Sequence, residues 1–207
     1  MAHDESRRTV CRESPVHVEQ YVMRDIRHIL NLDQWPDLVA GPNGYAAKRR
    51  TDIAPLAYEI LVNRPLRPEM IDKMVDFAGG ADVSLVRELF SLCNGVRIGA
   101  TKFAVYGVLG QIDRESSDVA SHPPLDINIP NIYGRPGGWP DEYLIVGSSR
   151  ESRQNQKGQK LVHAITPDGR IVVAGEEGAS NALREYKSAK EWLAAEVDCA
   201  LHDTTRY

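Results

Sequence analysis

The chain has 207 residues, of which 42% are hydrophobic and 26% charged, ordinary proportions for a globular protein with one sizeable core. A net charge of −4 argues against a nucleic-acid binder, which would carry a basic surplus. Residues 1–100 hold 13 basic and 14 acidic side chains and residues 101–207 hold 12 and 15, so the small acidic excess lies mostly in the second half.

The 3 cysteines, Cys11, Cys93 and Cys199, are far apart and include no Cys-x-x-Cys pair, which excludes a disulfide scaffold and a zinc knuckle. No apolar run approaches the roughly 20 residues that span a bilayer. The polar N-terminus lacks the apolar stretch of a secretory signal, so a cytoplasmic setting is expected.

Residues 1–15 are polar and read as a disordered leader. From Val16 to Leu32 an apolar stripe of Val18, Tyr21, Val22, Ile26, Ile29 and Leu30 predicts a helix. Asp33–Tyr45 is broken by Pro36, Gly41, Pro42 and Gly44 and reads as loop, and Ile53–Val62 reads as a short helix. These pieces make residues 16–64 a helical N-terminal extension to a main domain at 65–203.

That domain opens with a helix over Glu69–Ala78, with Pro68 suited to its first position and Gly79-Gly80 to stop it. A second helix starts at Ser84, with Leu85, Val86, Leu89, Phe90 and Cys93 on one face, and is expected to stop at Asn94-Gly95. Strands are predicted at Lys102–Val108, Tyr143–Gly147, Leu161–Thr166 and Arg170–Ala174, the last two forming a hairpin around Pro167-Asp168-Gly169. Between the first two lies Gln111–Pro140, a long proline-rich excursion; such loops often carry function. Ser188–His202 closes the chain as an amphipathic helix, with Ser188 and Glu191 at capping-box spacing. Helices, then strands, then one helix describe an α+β domain.

The phosphate-binding loops, the dinucleotide-binding glycine pattern and the hydrolase serine elbow are all missing from the sequence. Its six histidines show no metal-ligand spacing. His163 shares a strand face with Leu161 and Ile165 and reads as a half-buried, hydrogen-bonded histidine. Cys93, at the wrong end of its helix for a depressed thiol pKa, reads as a core residue. Three acidic clusters remain in or beside loops: Asp113, Glu115 and Asp118; Asp141 and Glu142; Glu176 and Glu177. They read either as solvated surface or as a partner-facing patch. Their use in acid–base or metal chemistry would require Asp141, Glu142, Glu176 and Glu177 to converge in one cleft with a perturbed histidine.

One arrangement of motifs resembles a known family. The helix ending Leu-Phe-x-x-x-Asn-Gly (Leu89 to Gly95) precedes a strand with Phe103, Tyr106 and Gly107. Then come Pro140, Tyr143, Leu144 and Gly147, a hairpin at Asp168-Gly169, and Glu191-Trp192-Leu193 in the last helix. In this order they resemble the SUKH superfamily, which includes bacterial immunity proteins of polymorphic toxin systems and fungal cell-wall-assembly regulators. The resemblance spans Leu66 to Val197.

It implies an antiparallel-rich sheet flanked by helices, and a binding protein rather than an enzyme, without cofactor or metal. The partner would be a cognate toxin, in many systems a nuclease, neutralised by occlusion. All seven acidic positions, Asp113, Glu115, Asp118, Asp141, Glu142, Glu176 and Glu177, are then candidate contacts, since complementary charge speeds encounter with a basic partner. The alternatives are an intracellular regulatory or scaffold protein of the same fold, and a metal-dependent hydrolase.

Overall fold

The computed structural model describes residues 26–54, 57–99, 102–111, 122–153 and 156–202, with only the backbone of 151–153, 156 and 157. The expected leader, most of the Val16–Leu32 helix, and Asp113, Glu115 and Asp118 lie outside them. The fold is α+β: a ten-stranded sheet with helices packed on one face.

Nine strands form an antiparallel meander in which every strand pairs with its predecessor along the sheet: β1 (Val39–Gly41), β2 (Gly44–Arg49), β3 (Tyr58–Asn63), β4 (Val96–Ile98), β5 (Phe103–Gly107), β7 (Leu144–Arg153), β8 (Gln156–Ile165), β9 (Ile171–Gly175) and β10 (Arg184–Tyr186). The two-residue strand β6 (Leu125–Asp126) pairs in parallel with the end of β5. Two helices, α1 (Pro68–Phe77) and α2 (Val83–Leu92), are inserted between β3 and β4, and α3 (Ala189–His202) follows β10.

The first third of the chain corrects the sequence reading. Ile53–Val62, expected as a helix, contains strand β3, and the expected loop Asp33–Tyr45 contains β1 and the turn into β2. Within the expected extension, only residues 26–29 and the 3-10 turn Leu32–Gln34 are helical among the described residues. Strand β3 pairs with β4, so the sheet runs across the expected boundary at residue 65. The physical reason lies in Tyr58–Asn63: the short apolar run Ile60-Leu61-Val62 is ambiguous by periodicity, and partners on both sides make it a central strand.

The helices form for the expected reasons. Pro68 occupies the first turn of α1, and Asp82 caps α2 by accepting the Leu85 N–H at 2.9 Å. Hydrogen bonds from Ser84 and the Leu85 amide hold the Asp82 carboxyl below its usual range. The α2 stripe of Leu85, Val86, Leu89 and Phe90 is buried as predicted. Its stop differs from expectation: Cys93 already has extended backbone (φ −159°). Gly95, at φ +119°, serves the next step, because a Cβ there would lie 2.7 Å from the Pro124 Cβ where residues 122–125 cross the sheet. Burial pushes the Cys93 thiol up to about 12 and leaves it a core residue.

Helices α1 to α3 cover the sheet face that carries Ile60, Val62, Val96, Ile98, Phe103 and Val105. One row of that face runs Val62, Val96, Val105, Gly147, His163 and Val173 across six strands. Gly147 leaves room for Trp192, whose ring lies 3.2 Å from where a Cβ would stand. The Trp192 indole N–H donates to His163 Nδ1 at 2.9 Å, and His163 Nε2 lies 2.8 Å from Ser149 Oγ. The expected half-buried histidine is therefore fully enclosed, at 0% exposure.

Burial, with the Arg184 charge adding to it, lowers the His163 pKa from the ordinary 6.5 to about 3. The unfolded chain takes up a proton near pH 6.5, whereas the folded chain does so only near pH 3. The stability conferred by the neutral ring is thus complete above pH 6.5 and is lost progressively as pH falls toward 3. Urea titrations at a series of pH values should show wild-type stability falling below that point more steeply than that of His163→Gln, by up to about 1.4 kcal/mol per pH unit.

Candidate partner-binding surface

The excursion between β5 and β7 is tied down at both ends by asparagine side chains. At its start, Asn94 (1% exposed) donates Nδ2–H to the Val108 carbonyl at 2.9 Å, and its Oδ1 accepts the Val108 N–H at 2.7 Å. Further on, Asn131 donates to the Ile145 carbonyl at 2.8 Å and accepts the Ile145 N–H at 2.9 Å. Each primary amide thus pairs with one backbone residue as a neighbouring strand residue would. The Ile145 pair sits at an irregularity between Ile145 and Gly147, where the β7–β8 register shifts.

Asn131 lies in a single π-type turn, Ile129–Tyr133, closed by the Gly134 N–H to the Ile129 carbonyl at 2.8 Å. Pro130 points inward and is buried, and Ile127 just before it is 2% exposed within the main core. Arg135 braces the turn from the other side: its Nη1 donates to the carbonyls of Pro140 at 2.9 Å and Tyr143 at 3.1 Å. On this fixed backbone the outward side chains are apolar: Ile129 is 55% exposed, Ile132 58% and Tyr133 78%. Large apolar groups held in water on a rigid support have the character of contact anchors. The π turn is itself a rare form found frequently at functional sites.

The segment then returns to the open face of the sheet. Trp139 (4% exposed) packs with Ile145, Val162 and Val172 and donates its indole N–H to the Gly175 carbonyl at 3.1 Å. Gly138, at φ +83°, meets the turn after β9 so closely that a Cβ would lie 2.2 Å from the Glu177 carbonyl oxygen. These contacts bring the chain carrying Asp141 and Glu142 against the chain carrying Glu176 and Glu177.

The four acidic residues in described segments are all exposed, and they differ in their neighbours. Asp141 lies 3.5 Å from Arg135 Nε at full side-chain exposure. Glu142 stands against Gly80 in the turn between α1 and α2. Glu176 Oε1 is 2.6 Å from Lys160 Nζ, a surface pair worth at most about 1 kcal/mol. Glu177 folds back beside Gly175.

None of the four contacts His163, whose partners are Ser149 and Trp192 on the helix-covered face. Among the described residues, no three His, Cys, Asp or Glu side chains are grouped to hold a metal, and no helix is long and apolar enough to cross a membrane. Sequence reading picked out the acidic rim and missed Ile129, Ile132 and Tyr133. The available signal was the run Ile-Pro-Asn-Ile-Tyr inside an otherwise polar, proline-rich loop. Compared with known proteins, the chain matches no family model, no curated protein and no solved structure.

Asn131→Ala removes both bonds to Ile145 and leaves that N–H without its partner. Native-state hydrogen exchange should then show the Ile145 amide exchanging at least about tenfold faster, with core amides on β8 and β9 little changed.

Proposed function

We propose that this chain is a non-enzymatic binding protein, acting in the cytoplasm as an immunity protein that occludes a cognate bacterial toxin, and that the excursion between β5 and β7 is its toxin-facing side. The observation that carries this reading is the exposed trio Ile129, Ile132 and Tyr133 on a backbone fixed by Asn131 and Arg135. A rigid apolar centre binds with little ordering cost, and the acidic rim of Asp141, Glu142, Glu176 and Glu177 suits a basic partner such as a nuclease. Asp113, Glu115 and Asp118 belong to the same excursion in sequence. The SUKH resemblance supplies the partner class: motifs from Leu89 to Leu193 stand in the order found among toxin immunity proteins. Occlusion needs only a shaped surface of this kind and no chemistry from the chain.

The decisive experiment is co-expression with a toxin encoded beside this gene. The wild-type chain should restore growth and form a one-to-one complex. If the neighbouring genes encode no toxin, the reading moves to the regulatory or scaffold protein, for which the same surface would serve a resident partner.

Within a toxin complex the two parts of the surface should separate kinetically. Tyr133→Ala should raise Kd by tenfold or more, mainly through faster dissociation, in keeping with the ~2 kcal/mol scale of an interface anchor. Asp141→Lys combined with Glu142→Lys should slow association at low salt with little change in dissociation, and the difference should fade as ionic strength rises. Surface plasmon resonance at two salt concentrations measures both.

A further inference from the structure

Arg97 stands apart from the other half-buried arginines. Among the described residues these are Arg27, Arg50, Arg135, Arg170 and Arg184, and each donates to a carboxylate or a backbone carbonyl. Arg97 has no hydrogen-bond or ion-pair partner among the described residues, and burial pulls its pKa down with no carboxylate to offset it. A guanidinium drawn partly out of water without an acceptor costs stability, a cost that an apolar side chain in its place would not carry.

Strand alternation decides which way it points. Val96 and Ile98 lie in the main core under the helices, so Arg97 faces the other side, where its register partners are Leu61 on β3 and Ala104 on β5. The flanking positions on that face, Gly95 and Gly99, have no side chains. Glu59, two residues along β3 from Leu61, is already taken by Arg50 at 2.6 Å and Lys102 at 3.6 Å. Arg97 lines a dimple of about 10 Å³ with Leu61, His122, Pro124 and Leu125, and no carboxylate lines it. Burial, with the Arg97 charge adding to it, lowers the His122 pKa, so that imidazole is neutral at physiological pH and brings no second charge. A recess this small encloses no free ligand. An acceptor reaches the guanidinium only when a partner's surface is laid over it.

Leu125 on the rim is 39% exposed and comes four residues before Ile129, so the dimple continues the surface that carries the apolar trio. Building on the partner-binding role proposed above, we propose that Arg97 receives one aspartate or glutamate side chain from the protein partner, with Leu125 as the apolar contact beside it. The guanidinium fork matches a carboxylate with two parallel N–H bonds, and part of its desolvation is already complete in the free chain. A partner presenting an apolar or basic group there would leave the arginine covered and unpaired, so the position selects among partners. The apolar rim and the net charge of −4 favour a single carboxylate over the phosphates of a nucleic acid.

One test uses the free full-length chain. The Arg97 Nε–H resonance of ¹⁵N-labelled protein, assigned with Arg97→Lys, is followed at constant ionic strength against acetyl-Leu-Asp-Leu-amide, acetyl-Leu-Asn-Leu-amide and inorganic phosphate. A saturable downfield shift is expected with the aspartate peptide and none with the asparagine peptide, and phosphate should bind at least fivefold more weakly. No saturable shift with the aspartate peptide, or an equal response to the asparagine peptide, would overturn the proposal. Tighter binding of phosphate would overturn it in favour of a nucleic-acid partner. The second test uses the complex with the toxin encoded beside the gene. Arg97→Gln should raise Kd tenfold or more, and Arg97→Lys, which keeps the charge without the fork, should raise it less. Urea titration should show Arg97→Gln as stable as wild type, because no partner within the chain is lost. An unchanged Kd, or a loss of stability that marks a structural role, would also overturn the proposal. If the wild-type chain does not bind that toxin, the immunity reading falls, and the peptide titration decides the role of Arg97 alone.

Discussion

Two side-chain amides hold this fold in working order. A sheet strand that ends leaves its neighbour with an unpaired N–H and C=O, and burying them unpaired costs about 1 to 3 kcal/mol each. Asn94 and Asn131 meet that demand at Val108 and Ile145, presenting a donor and an acceptor to one backbone residue apiece. The chain can therefore turn away after β5, touch the sheet again at β6, and rejoin it in full at β7 with its backbone paired at both Val108 and Ile145. Without the second amide the turn carrying Ile129, Ile132 and Tyr133 would lose its fixed seat on the sheet, and its apolar groups would have to be ordered anew in every encounter.

The parts of the fold legible in the sequence are those where a single pattern dominates. The α2 stripe, the Pro167-Asp168-Gly169 hairpin and the last helix are of this kind. In the last helix the Ser188 hydroxyl accepts the Glu191 N–H at 3.1 Å as the capping spacing implies, although the Glu191 side chain reaches the Lys187 N–H instead. Strands β1 to β3 were hidden because Gly44-Tyr45-Ala46-Ala47 is poor strand material, and the apolar core of β3, Ile60-Leu61-Val62, is too short to show a period; pairing with neighbours decides both. The polar arms of β7 and β8, out to Arg153 and Gln156, lack the alternation that marks a half-buried strand. Strand β10, three residues long, has too little pattern to read.

The candidate surface divides along the same line. Acidic residues announce themselves in a sequence, and Asp141, Glu142, Glu176 and Glu177 are exposed where a partner could meet them. Yet charge at this exposure steers more than it binds, and the groups suited to binding are apolar residues in a loop, which composition alone assigns to chance. What distinguishes Tyr133 from a stray surface tyrosine is the buried Pro130, the Asn131 clamp and the Arg135 brace beneath it. The clamp closes only where Asn131 meets Ile145 on β7, and the brace only where Arg135 meets the Pro140 and Tyr143 carbonyls, so neither shows in the local sequence of the turn.

The two sides of the sheet have taken different assignments. One is closed by helices over Phe103, His163 and Trp192, with the Phe103 ring edge to face against each of the other two at 5.7 Å between centroids. On the other, Trp139 lies across Ile145, Val162 and Val172, and the Asn63 amide donates to the His122 carbonyl. Because each strand of the meander lies beside the one made before it, the sheet can assemble progressively as the polypeptide leaves the ribosome. Only α3, which follows β10 in the chain, can seat an indole over the central strands, guided by Glu88 of α2, whose carboxylate accepts the Ala189 N–H at 3.0 Å. A nascent chain that stops short of residue 189 would hold the sheet with its imidazole uncovered, so α3 must be made before the interior is sealed.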